Sequence, residues 1–215
     1  MKAWLNKIRT PNRDIKVSQK ITYSVLFLLA GILLGVFAKW LDNTPGNDAI
    51  WWRHILGLLD LRNVFSEFAI WLLIALAISV YSSTPLRACL NVFLFLAGMC
   101  VSYHVYTIVF AGFDPRSYMM IWYGFTLLSP VLAFICWYGK GGTKASLIID
   151  ILILTVMLSA CFAIGFWFFD ITRIINVLIF AGAVWILYSG LKQTVISLSG
   201  AVALSYVLYA ARVLI

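Results

Sequence analysis

LRACLNVFLFLAGMCVSYHVYTIVF, residues Leu86–Phe110, carries a single formal charge, Arg87, in its first turn. A helix of that length, at about 1.5 Å per residue, crosses a hydrocarbon core of roughly 30 Å. Wound as a helix, Arg87, Asn91, Phe95, Gly98, Ser102 and Tyr106 fall on one stripe. In a membrane bundle such a stripe faces neighbouring helices, because small residues admit a close backbone and amides find partners there. His104, one of two histidines, falls on the other side near the far end.

Six further apolar runs flank it: Ile21–Trp40, Ser66–Ser82, Tyr118–Tyr138, Ala145–Phe169, Arg173–Leu191 and Thr194–Ile215. The chain is 63% hydrophobic and 11% charged, with a mean hydropathy of +0.98. A soluble domain carries about a quarter charged residues. The expected fold is therefore all-α: an integral membrane bundle of seven transmembrane helices, or six if the last two runs make one span and a re-entrant piece. Residues 1–20 form a basic cytoplasmic segment and 21–215 a single transmembrane domain. The basic start, the full-length first run and the lack of a small-residue cleavage site argue against a removable signal.

Net charge is +8, and six of the sixteen basic residues lie in the first twenty positions. That distribution reads as an orientation anchor on anionic headgroups, and no nucleic-acid partner is expected. With the N-terminus inside, inner segments hold Lys2, Lys7, Arg9, Arg13, Lys16, Lys20, Arg87, Lys140, Lys144 and Lys192. Outer segments hold Lys39, Arg53, Arg62, Arg116, Arg173 and Arg212. Lysine separates most sharply, with Lys39 alone outside. The expected topology is N-in, C-out, in a multi-pass plasma-membrane protein.

Between the first two runs, Thr44-Pro45-Gly46 marks a turn and Asp48 a helix cap. Trp51, Trp52, Ile55, Leu56 and Leu59 then recur at helical spacing against Arg53, Gly57 and Asp60. This predicts a short interfacial amphipathic helix over 48–60, an anchor or a lid. The first run carries Gly31 and Gly35 in GxxxG spacing, which with Gly98 is expected to pack helices closely. Cys89, Cys100, Cys136 and Cys161 sit in apolar runs without CxxC spacing and read as small packed hydrophobes.

Ionisable groups inside a span are functional candidates by default. Asp150 lies about six residues, roughly 9 Å, into its run. It is expected either to close an ion pair with Arg87 or Lys192, or to bind a proton or cation. At the outer boundary Tyr118, Trp122, Phe125 and Ser129 share one face. Ser197, Ala201, Ser205, Tyr209 and Arg212 share another, with Lys39, Glu67, Trp71, His104, Trp167 and Arg173 at the same depth. Aromatic walls with a few polar groups suit a small organic solute, and they equally suit an aromatic belt. The candidate ligand-binding set is Glu67, Trp71, His104, Tyr118, Trp122 and Tyr209.

No HExxH, P-loop, paired-glutamate or Asp-rich phosphotransferase motif occurs. Ser197-Leu198-Ser199-Gly200-Ala201 is loosely similar to a rhomboid serine motif, but no histidine follows position 104 to act as base. No lysine occurs in the last run, which excludes a retinal Schiff base. No metal site, no cofactor and no catalysis are expected.

The segments STPLRACLNVFLFLAG (83–98) and SPVLAFICWYGKG (129–141) resemble parts of small multispanning membrane proteins of Gram-positive bacteria without an assigned function. The resemblance implies a bacterial plasma membrane and supplies no mechanism. Size, the first-span GxxxG and the outer loop are similar in layout to substrate-binding subunits of energy-coupling-factor vitamin transporters. Those usually have six spans with both ends inside. The expected function is binding or transport of a small solute through an outward-facing pocket. The alternative is a non-catalytic subunit docking on partner membrane proteins, and the third reading is a membrane-embedded enzyme.

Overall fold

The computed structural model describes residues 2–12, 15–44, 57, 60–165 and 167–211. They form α1 (Lys2–Ile8), α2 (Val17–Asn43), α3 (Leu61–Ser66), α4 (Phe68–Tyr81), α5 (Pro85–Tyr106), α6 (Arg116–Trp137), α7 (Lys144–Cys161), α8 (Ile174–Leu187) and α9 (Leu191–Ala210). Five of these, α2, α5, α6, α7 and α9, are long and apolar enough to cross a membrane, whereas α4 and α8 have 14 residues each. At about 1.5 Å per residue those two reach some 21 Å, short of a 30 Å core. The helix expected over 48–60 lies outside the described residues, apart from Gly57 and Asp60.

Local sequence explains where the helices begin and bend. Pro85 occupies the first turn of α5, and the Thr84 hydroxyl accepts from the Arg87 amide at 3.2 Å. Thr143 caps α7 by accepting from the Ser146 amide, while the Ser146 hydroxyl accepts from the Thr143 amide. Pro130 in the middle of α6 cannot donate to the carbonyl of Thr126. The Ser129 hydroxyl donates to that carbonyl instead, at 2.8 Å. After Tyr106, α5 widens into a π-helical turn, Thr107–Ala111, and stops at Gly112, whose φ of +73° suits glycine.

One expectation is corrected at α7. The run read as a span over Ala145–Phe169 is helical only to Cys161. Beyond it Ala163–Ile164 and Phe169–Asp170 pair as a two-stranded antiparallel hairpin, with the Gly165 amide donating to the Phe168 carbonyl. Its tip exposes Trp167, 98% accessible.

Helices α2 and α5 run parallel in direct backbone contact. A Cβ on Gly31 would lie 2.0 Å from the Phe95 carbonyl oxygen, one on Gly35 2.4 Å from that of Met99, and one on Gly98 2.7 Å from that of Leu28. The glycine seam is therefore closed inside the chain. Polar bonds fasten both ends of it. The Ser24 hydroxyl donates to Asn91 Oδ1 at 3.0 Å, and the Tyr103 hydroxyl donates to Asp42 Oδ2 at 2.7 Å.

The remaining helices build two cores that share α4. Trp71 and Ile78 of α4 join Phe95, Met99, Trp122 and Trp137 in one core. Ala69, Leu76 and Val80 join Leu154, Met157, Ile179 and Ala183 of α7 and α8 in the other. A helix apolar on every side belongs between others. Being surrounded by protein, α4 need not match the bilayer's thickness. The outer faces of α2, α6, α7 and α9 expose apolar side chains such as Leu33, Leu127, Val156 and Val207, which suits contact with lipid.

The end holding the N-terminal segment is called here the basic end, and its opposite the far end. At the basic end the Arg9 guanidinium stacks 4.3 Å over Trp137 and donates to the carbonyls of Trp137 and Val80, tying α1 across α4 and α6.

Candidate functional site

At the far end, side chains from four helices meet around a slot: Phe65 of α3, Trp71 of α4, Met99 and Tyr103 of α5, and Tyr118, Met119 and Trp122 of α6. Helical spacing supplies the pairs Met99/Tyr103 and Tyr118/Trp122, each one turn apart. Trp71 Nε1 donates to the Phe65 carbonyl at 2.9 Å, so the indole is fixed. Phe68 stacks on Trp122 with centroids 4.4 Å apart and planes at 13°, which holds the back wall.

The polar end of the slot lies behind Tyr103. Asp42 accepts from the Tyr103 hydroxyl and, at 3.2 Å, from the Ser66 hydroxyl. Lys39 sits 3.7 Å from the same carboxylate, only 7% exposed, with its ammonium 5.2 Å from the Tyr103 ring and 5.5 Å from Phe113. A lysine buried at this depth is tolerable because a carboxylate and two ring faces replace part of its hydration. The cavity measures about 10 Å³, the room of a single water. The space between the aromatic walls is therefore narrow.

Of the sequence-selected ligand residues, Trp71, Tyr118 and Trp122 line this slot. The other three do not. His104 Nδ1 is 2.9 Å from the Tyr123 hydroxyl, and its Nε2 is 2.9 Å from Asp114, which also pairs with Arg116. Glu67, with Asp60, receives Arg173 at the start of α8, joining α8 to the α3–α4 corner. Tyr209 stands on α9, which packs against α7 and the hairpin. Tyr103 lines the slot as well, as do Phe65, Met99 and Met119, three residues that no sequence pattern singled out.

The expected ion pair between Arg87 and Asp150 is not formed, a correction with a clear geometric cause. Arg87 lies against α2, donating to the Lys20 carbonyl and, at 2.6 Å, to the Ser24 hydroxyl. Asp150 faces α9, where Gln193 Nε2 donates to its Oδ2 at 3.1 Å. Lys192 is exposed and forms no ion pair with it either. Among the described residues no three His, Cys, Asp or Glu side chains are grouped to hold a metal ion. Comparison of the chain with protein-family models, curated proteins and solved structures finds no match.

Proposed function

We propose that the chain is a multispanning protein of a bacterial plasma membrane that binds or transports a small organic solute through the far-end slot. In this reading seven helical passes cross the bilayer, α4 and α8 included, with the N-terminus inside and the C-terminus outside. The basic end then faces the cytoplasm, in line with lysine placement, and the slot opens outward. The observation carrying the reading is the convergence of aromatic side chains from α3, α4, α5 and α6 on one polar terminus, Tyr103–Asp42–Lys39. Flat walls with one polar end suit a solute with a planar apolar body and a hydrogen-bonding or charged head. Entry of such a solute requires the ring walls to part beyond the water-sized gap between them.

The docking alternative loses its main sequence argument, because Gly31 and Gly35 are occupied by α5. A thermal-shift screen of the purified protein against amino acids, vitamins and lipids tests the proposal. A stabilising solute whose effect is lost in Trp122→Ala and Tyr118→Ala, but kept in Tyr209→Ala, supports it. No stabilisation by any member of those classes counts against it.

A further inference from the structure

Asp150 is 1% exposed, and its Oδ1 has no hydrogen-bond partner among the described residues. Its Oδ2 receives one amide proton, from Gln193, which also donates to the Gly141 carbonyl at 3.2 Å. No cation reaches it among the described residues. On the loop, Lys140 lies 4.9 Å over the Tyr81 ring, and Lys144 at the start of α7 is exposed. On α9, Lys192 is exposed; on α6, the neighbouring titratable group is Cys136. The stretches of α4 and α8 packed on α7 carry no charged residue. On α1, Arg9 is committed to the Trp137 and Val80 carbonyls and Lys7 is exposed. An ionised carboxylate with one neutral donor and no counter-charge is costly at such a site, so the neutral acid is the form that fits.

The turn laid against the carboxyl is rich in glycine. A Cβ on Gly139 would sit 2.8 Å from Asp150 Oδ1, and one on Gly141 would sit 2.5 Å from the Ile8 carbonyl oxygen. The 139–142 turn thus lies between the carboxyl and the N-terminal segment at the basic end. We propose that Asp150 is a proton-binding site served from the basic end. It holds a proton in the arrangement seen, and releases it to water as the carboxylate forms when the glycine turn and Gln193 draw back. This stands whether or not the far-end slot takes a solute.

Infrared titration of the full-length protein in lipid nanodiscs tests it directly. The carbonyl stretch of a protonated carboxylic acid is expected to persist at neutral pH in the wild type and to be missing from Asp150→Asn. Gln193→Leu removes the one donor to the charged form, so the titration midpoint should rise by about one pH unit, one hydrogen bond to a charged group. This second variant keeps the carboxyl, so it remains informative if Asp150→Asn misfolds. A wild type lacking the band at neutral pH overturns the proposal, as does a band that Asp150→Asn leaves in place. Sodium-dependent thermal stabilisation of the wild type that Asp150→Asn abolishes overturns it too, by making the occupant a metal cation.

Discussion

Gly31→Ala adds one methyl group where α2 and α5 already touch backbone to backbone. Its Cβ would lie 2.0 Å from the Phe95 carbonyl oxygen, 2.9 Å from that carbonyl carbon and 3.2 Å from the Met99 nitrogen, whereas ordinary contact begins near 3.4 Å. Backbone cannot swing aside as a side chain does, so the helices must part by roughly 1 Å around this point. A gap of that size forfeits a quarter to a half of each dispersion contact along the seam. It also stretches the 3.0 Å Ser24–Asn91 bond two turns away, a class of bond averaging about 0.6 kcal/mol in membranes. With overpacking costing typically 1–3 kcal/mol, the expected loss is about 2–3 kcal/mol. The matched control is Gly124→Ala on α6, whose Cβ would meet no atom within 4 Å. That variant should be neutral, or stabilised by under about 1 kcal/mol. Reversible unfolding in mixed detergent–SDS micelles, followed by far-UV circular dichroism, compares the two on one scale. Equal stability of the two variants would refute a closed α2–α5 seam and return Gly31 and Gly35 to the candidates for docking another subunit.

Three further outcomes are expected. Ser129→Ala should cost about 1 kcal/mol, because the Thr126 carbonyl released by Pro130 loses its donor; in a Pro130→Ala background the cost should vanish, since the helical amide returns. A double-mutant cycle on unfolding free energy should give no coupling between Arg87→Gln and Asp150→Asn, and measurable coupling between Arg87→Gln and Ser24→Ala, following the contacts found. At the α5–α6 turn, His104 and then Arg116 hold the Asp114 carboxyl below its ordinary value of 3.8. A lowered folded-state value means the stabilisation is complete above the unfolded value and disappears as pH falls through the folded one. The difference in melting temperature between the wild type and Asp114→Asn should thus be largest above pH about 4 and fade in stronger acid.

Helix positions and the glycine seam are legible in the sequence because both rest on periodicity: apolar runs set length, and small residues three and four apart set a face. The failures occur where azimuth or local chain geometry decides. Depth along the membrane normal places Arg87 and Asp150 at the same end, but α5 packs chiefly with α2 and α6 while α7 packs chiefly with α9 and α8. Opposite charges at one depth therefore face different helices, Arg87 turning to α2 and Asp150 to α9. The hairpin after Cys161 is hidden because Phe162-Ala163-Ile164-Gly165 is apolar enough to continue a span, and a short apolar run does not distinguish strand from helix. Met99 and Met119 line the slot unannounced, since a methionine facing a cavity looks in sequence like one filling a core.

One helix touches both proposed sites. Tyr118, Met119 and Trp122 in the far half of α6 form a wall of the slot, and the turn after Trp137 lays Gly139 on Asp150. Pro130 stands between them, and the Thr126 carbonyl it vacates accepts from the Ser129 hydroxyl, the kind of break about which a helix bends. If parting the ring walls moves the far half of α6, Pro130 is where that motion would be absorbed or passed to the glycine turn. Reciprocity of linked equilibria gives the measurement. A solute found by the thermal-shift screen should displace the midpoint of the Asp150 carboxyl band, and its affinity should change with pH by the same factor. Pro130→Ala, which restores a continuous helix, should alter that displacement while leaving both individual sites intact. A midpoint unmoved by saturating solute would mean that Pro130 insulates the two ends, and that the carboxyl and the slot do separate work.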